Sequence, residues 1–150
     1  MLSAYFQPLD SALLKGVKSP LPADALGNFV IAYCDDQPFP SFEGARIAIF
    51  GVGEERGSVQ NHGCATGPDK IRESFYQLKK QQLNLHLMVL GNLRIGHSLA
   101  DTYAAIGTVV HELLAARIIP IVLGGSQDLT YGQYAGYKLS EEIINIVSVD

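Results

Sequence analysis

The chain has 150 residues, 47% hydrophobic and 17% charged, the profile of one well-cored globular unit, which excludes a collagenous, low-complexity or disordered protein. Eleven Lys and Arg stand against 15 Asp and Glu, with no basic cluster longer than Lys79-Lys80, so nucleic acid and anionic membrane are poor partners. No run approaches the roughly 20 apolar residues of a membrane span, and Met1 to Pro8 lacks the charged and apolar regions of a signal peptide, so the cytoplasm is the expected location.

Residues 1–44 read as an irregular N-terminal extension, because Pro8, Pro20, Pro22, Pro38 and Pro40 each forbid a long helix through their position. A short helix around Ser11 to Val17 and a strand around Asn28 to Tyr33 are expected within it. From Ala45 onward, four short β-rich runs alternate with helical segments: Ala45 to Val52, Leu85 to Leu90, Ile118 to Leu123 and Ile143 to Val149. Gly67-Pro68-Asp69 opens the first helix, with proline at its first position and Lys79-Lys80 near its end. Ser98 and Asp101 have capping-box spacing, and Tyr103, Ile106, Val110 and Leu113 follow at helical intervals. Gln127 to Leu139 is a third helical length, where Gly132 and Gly136 leave one face nearly bare for close packing on a sheet. Tyr131, Tyr134 and Tyr137 line another side, a pattern of packing or interface rather than cofactor stacking.

This alternation with short connections predicts right-handed βαβ units and an open α/β fold: three layers, a mostly parallel sheet with helices on both faces. Ligands in such sheets bind beyond the carboxyl ends of the strands, so chemistry is expected in the loops starting at Gly51, Gly91 and Gly124, and after Asp150.

The stretch Leu123-Gly124-Gly125-Ser126-Gln127-Asp128 is a buried strand running into two glycines and a helix start. A tight turn capped by Ser126 or Asp128 explains it, and an anion site of backbone N–H groups is the sharper alternative. It lacks the Lys-Ser/Thr of a phosphate-binding P-loop and the third glycine of a dinucleotide fingerprint. Among the histidines, His62 lies in a glycine-rich loop near the expected cleft and is a candidate for substrate or metal, whereas His86, His97 and His111 fit structural or solvent roles. Glu54-Glu55-Arg56 reads as a solvated loop. Cys34 and Cys64, 30 positions apart and outside any C-x-x-C pattern, read as reduced thiols.

Three stretches together resemble the ureohydrolase family of arginase, agmatinase and formimidoylglutamase. Leu123, Gly124, Gly125, Leu129, Thr130, Gly132 and Gly136 fit the family's first signature, and Gln127 stands where that signature has a metal-binding histidine. Ile47 to Gly53, Gly57-Ser58-Val59-Gln60-Asn61-His62-Gly63 and Gly67-Pro68-Asp69-Lys70-Ile71-Arg72 resemble its opening strand, glycine-rich substrate loop and following helix. Asn61 and Gly63 lean toward the formimidoylglutamase branch. For Glu54-Glu55-Arg56 the resemblance implies the alternative of an acid near the substrate loop. Ile146-Val147-Ser148-Val149-Asp150 resembles the start of the second signature, whose first acid is a metal ligand.

The resemblance implies an arginase-like domain whose N-terminal half is residues 45–150, with only the first four core strands present, in a sheet of order 2-1-3-8-7-4-5-6. It implies hydrolysis of a C–N bond in a linear amidine or guanidino compound by a hydroxide bridging two manganese ions about 3.5 to 4 Å apart. The implied sites are Asp150 and Gln127 for metal, Asn61, His62 and Gly63 for a small-molecule substrate, and Gly124, Gly125 and Ser126 for the turn. A neutral amide is a poorer Mn²⁺ donor than imidazole or carboxylate, so the expectation is a degenerate and truncated metal site and an inactive chain. In the implied sheet order the strand at Ile143 to Val149 would not neighbour the one at Ile118 to Leu123, so an edge prone to association, and a homo-oligomer, are also expected. Two alternatives stay open: a non-catalytic descendant binding a small ligand or a partner subunit, and an unrelated α/β module with an anion site at Gly124 to Ser126.

Overall fold

β-Branched and aliphatic runs become strands because their side chains pack well on a pleated surface covered from both sides. The structure, a computed structural model, describes residues 2–11, 21–80, 86–140 and 143–149. Its strands are β1 (Phe6–Gln7), β2 (Ile31–Ala32), β3 (Ile47–Val52), β4 (Leu87–Leu93) and β5 (Ile119–Gly124). Its α-helices among the described residues are α1 (Gly67–Phe75), α2 (Leu99–Ala115) and α3 (Thr130–Lys138). Sheet order is β1-β4-β3-β5, with β2 also paired to β4. All pairings are parallel except β1 with β4. The central trio β4-β3-β5 thus has the order that the resemblance implies for the first three core strands.

β3 is the middle strand and is almost fully buried. Ala48, Phe50 and Val52 join Met88 and Leu90 against Ile106, Val109, Val110 and Leu113 of α2. Ile49 points the other way, with Leu87 and Val89, toward Tyr76, Leu9 and Cys34. β3 and β5 stay in step from Ile47↔Ile119 to Val52↔Gly124. β3 and β4 slip by one residue between Ile49↔Val89 and Gly51↔Asn92. Gly91 lies at this bulge with φ +85°, and a Cβ there would sit 2.2 Å from the Gln7 carbonyl oxygen.

The N-terminal segment is drawn into this core, since it supplies β1, β2 and the buried Phe6, Leu9 and Cys34. The strand expected around Asn28 to Tyr33 shortens to β2, behind a 3₁₀ turn at Leu26–Phe29. The helix expected at Ser11 to Val17 falls, beyond Ser11, outside the described residues.

Three elements differ from expectation. α1 ends at Phe75, because the Tyr76 and Leu78 carbonyls accept from Gly27 and Leu26. Lys79 therefore lies outside the helix, bridged to Ala25 and paired with Asp24 at 2.9 Å. Gly132 and Gly136 seat α3 on α2 instead of on a sheet. A Cβ at Gly136 would lie 2.6 Å from Val110 Cβ and 2.7 Å from the Gly107 carbonyl. Residues 143–149 form no strand and have no ladder partner: Ile143 and Ile144 line a cleft together with His111, Leu114 and Tyr137, so the segment follows the helices. Ile143, Val147 and Val149 are exposed as a result.

Candidate functional site

The carboxyl ends of β3, β4 and β5 place three loops along one rim. Glu54, two residues beyond β3, is 2% exposed and gathers that rim. Its Oε1 accepts from the backbone N–H groups of Glu55 (3.0 Å) and Arg56 (2.9 Å). The Arg56 guanidinium grips both carboxylate oxygens, with Nη2 to Oε2 at 2.5 Å. Thr102 Oγ1, on the first turn of α2, donates to Oε2 at 3.2 Å. Hydrogen bonds and charge from Arg56 hold the Glu54 carboxyl down at about 2, against the cost of burial. Arg56 reaches further, donating to the carbonyls of His97 at 2.7 Å and Gly96 at 2.9 Å beyond β4. The Glu54-Arg56 stretch is therefore a charged clasp between two loops, not the solvated loop expected.

Glu55 organises the glycine-rich loop. Its Oε2 accepts from Gly63 N–H at 2.7 Å and Ala65 N–H at 3.3 Å. Gly63 takes φ +88°, a left-handed conformation that favours glycine. Asn61 and His62 are exposed on this loop, and the Asn61 N–H donates to Ser58 Oγ at 3.0 Å.

Beyond β5, the backbone N–H of Gly125 donates to Val52 O and that of Ser126 to Glu54 O, each at 2.9 Å. Ser126 Oγ also donates to Glu54 O at 3.2 Å, and no side-chain cap bond forms from Ser126. These donors are spent on the neighbouring strand end, which removes the anion site considered at Gly124 to Ser126. A Cβ on Gly125 would lie 2.2 Å from the Glu54 carbonyl oxygen, so glycine is required by close approach. Gln127 is exposed in the first position of a 3₁₀ turn, Gln127–Leu129. Asp128 accepts from the Tyr103 hydroxyl, and that bond, with burial, pushes the Tyr103 hydroxyl up to about 12. Gly57 packs against the Asp128 carboxylate, so the glycine-rich loop and the β5 turn touch. No hydrogen bond or ion pair among the described residues joins Asn61, His62 and Gln127.

A binuclear manganese site needs several carboxylate and imidazole donors converging on each ion. Among the described residues no three His, Cys, Asp or Glu side chains group in a way that could hold a metal ion. Glu54 is committed to Arg56, and Glu55 to the loop backbone. Asp150 lies outside the described residues. The described residues do not supply the donor set of a metal pair. His86 and His97 are exposed, and His111 is half-buried in the cleft with Ile144.

One further group escaped sequence reasoning. Arg72 on α1 is 3% exposed and donates to Asp69 Oδ1 at 2.6 Å, to the Gly91 carbonyl at 3.3 Å and to Asn92 Oδ1. It fastens α1 to the β4 bulge. An arginine in the helix that follows a glycine-rich loop was visible in the sequence, but its burial was not.

The sequence profile of the Arginase family matches residues 45–150. The chain belongs to the arginase family. Its relatives include the formimidoylglutamase of Streptococcus gordonii, 29% identical over all of this chain and 48% of that protein. The formimidoylglutamase of Lysinibacillus sphaericus is 31% identical over 72% of this chain and 35% of that one. This arginase-family chain spans about half, or less, of the length of such relatives. Its fold matches the agmatine ureohydrolase of Thermoplasma volcanium, with a TM-score of 0.60 over 80% of this chain and 40% of that one, at 20% identity. A putative agmatinase from Clostridium difficile gives 0.59 over 67% and 40%, at 18% identity. The α/β class and the family expected from the motifs are both as found. No helix among the described residues is long and apolar enough to cross a membrane.

Proposed function

We propose that these residues correspond to the N-terminal half of a ureohydrolase domain whose parent chemistry is hydrolysis of a C–N bond in a linear amidine of the formimidoylglutamate type. The chain by itself does not carry out that hydrolysis. What supports this reading is the family match together with the donor set: Gln127 offers an exposed amide at the expected ligand position, and no group of acids and histidines among the described residues surrounds it. Asn61, His62 and Gly63 remain the residues proposed to face a substrate, on a loop that Glu55 orders from below. Gly124, Gly125 and Ser126 hold the turn that presents Gln127. The proposed setting is the cytoplasm, and neither Cys34 nor Cys64 forms a disulfide.

The second reading, a non-catalytic descendant that keeps the fold to bind a small ligand or a partner subunit, is favoured by one observation. The acids along the rim serve the protein's own loops: Glu54 binds Arg56, Glu55 binds the Gly63 and Ala65 backbone, and Asp128 binds Tyr103.

The test is an assay of the chain with added Mn²⁺ against formimidoylglutamate, agmatine and arginine, following formamide, ammonia and urea. No product above the protein-free rate is expected. Multiple turnovers dependent on Mn²⁺ would overturn the proposal of an inactive chain.

A further inference from the structure

We infer that the core between α1 and the N-terminal segment holds one buried water molecule, hydrogen-bonded to Arg72 Nε and to the Tyr76 hydroxyl. Both side chains are sealed from solvent, Arg72 at 3% exposed and Tyr76 at 1%. Among the described residues neither Arg72 Nε nor the Tyr76 hydroxyl has a hydrogen-bond partner. An unpaired buried donor is costly, and an ordered water is the usual remedy. The two groups are neighbours: Tyr76 N–H donates to the Arg72 carbonyl at 2.9 Å, which sets the side chains one helical turn apart on one face. Burial pushes the Tyr76 hydroxyl up to about 12, and Arg72, Cys34 and Asp69 are close enough to act on it electrostatically, so it stays a neutral O–H beside the guanidinium.

Neither group can turn to a protein acceptor instead. Tyr76 packs among Leu9, Cys34, Ile49, Leu87 and Val89, a mostly apolar wall. The Arg72 fork is already engaged, Nη1 with the Gly91 carbonyl and Nη2 with Asp69 and Asn92. It is also wedged against the strand, since a Cβ on Gly51 would lie 2.8 Å from Nη1. An ion does not suit the site. Asp69 at 2.6 Å already matches the Arg72 charge, so a further anion would be an unbalanced buried charge, and the guanidinium repels a cation. Water is neutral, accepts from Nε–H, and can either accept from the tyrosine hydroxyl or donate to it. All the groups that form the site come from residues 9–92. The water extends the Arg72 anchor at the β4 bulge to Tyr76, whose carbonyl accepts from Gly27 N–H at 3.0 Å, and so helps tie α1 to the N-terminal segment.

The experiment is a crystal structure of the full chain that resolves ordered waters, joined to urea unfolding of one variant. A density peak about 2.7–3.2 Å from both Arg72 Nε and the Tyr76 hydroxyl is expected, with no anomalous signal there after a bromide soak. An empty site, a direct protein partner for either atom, or bromide at the peak would overturn the water. Tyr76→Phe removes the hydroxyl and nothing else, and the sign of its effect separates a wet site from a dry one. With the water in place a hydrogen bond is lost and the urea midpoint falls, whereas in a dry site an unpaired buried hydroxyl is removed and the midpoint rises. A midpoint that rises or stays where it was would overturn the inference.

Discussion

Arg56 closes on Glu54 from two residues away, with Nε at 3.0 Å from both carboxylate oxygens, and then spans to the carbonyls of Gly96 and His97 beyond the next strand. One guanidinium thereby ties the loop after β3 to the loop after β4. The carboxylate is buried while Arg56 is 43% exposed, so the pair combines a dry acceptor with a screened donor.

The pH dependence follows from this pair. Folding lowers the Glu54 carboxyl from 4.5 to about 2, so its contribution is complete above the unfolded value and is lost as pH falls between the two. The full shift corresponds to about 3 kcal/mol, and screening at Arg56 reduces this to about 1–2 kcal/mol. Glu54→Gln should lower stability by that amount at neutral pH. Urea unfolding of both proteins at neutral and strongly acidic pH should show the gap closing in acid. A gap that is the same at both would assign the loss to packing alone.

Two adjacent glycines should answer differently to alanine. At Gly125 the added Cβ meets Glu54 backbone atoms at 2.2, 3.1 and 3.2 Å, and backbone in a strand end cannot yield cheaply. Gly125→Ala should cost about 2–3 kcal/mol. At Gly124 the nearest atom is Leu129 Cδ1 at 3.5 Å, an ordinary contact, and Gly124→Ala should stay within about 0.5 kcal/mol. Denaturant midpoints of the two variants decide this. Equal losses would mean that the approach of the β5 turn to Glu54 is not the constraint.

What was legible in the sequence was local. The capping box at Ser98 and Asp101 forms as its spacing requires, and the central strands lie where the β-rich runs place them. What was not legible depends on distant partners. Ile143 to Val149 has the composition of a strand, yet strand formation needs a ladder, and the segment lies against α2 and α3 instead. Gly132 and Gly136 signalled close packing, but one helix cannot tell whether a sheet or a second helix will meet it. Glu54 looked like a surface acid because its cover depends on Thr102 of α2 and on the distant Gly96 and His97 carbonyls that hold Arg56 in place over it.

Arg72 offers a third prediction. Its guanidinium meets Asp69, Asn92 and the Gly91 carbonyl at once, and lysine keeps the charge but not the fork. Arg72→Lys should cost about 2 kcal/mol, and Arg72→Ala about 3 kcal/mol or more, since Asn92 and Gly91 lose a buried donor. Thermal melts of the two variants check the ranking. A lysine variant as stable as wild type would show that charge alone suffices.

The N-cap of α2 shares no partner with the Arg72 cluster. Ser98 Oγ accepts from Asp101 N–H at 3.2 Å, and Asp101 Oδ2 accepts from Ser98 N–H at 2.8 Å. Ser98→Ala should lower stability by about 1 kcal/mol. The loss should add to that of Arg72→Lys in the double variant, because the two sites share no partner, and a clearly non-additive result would contradict this.

The central claim is that this chain carries an arginase-family fold and that its described residues do not supply the donors for a metal pair. Calorimetric titration of Mn²⁺ into the folded chain tests it most directly, alongside Gln127→His, which restores a single imidazole. The account predicts no saturable binding to the wild-type chain and no two-ion stoichiometry in the variant. Saturable uptake of two Mn²⁺ per wild-type chain would contradict it.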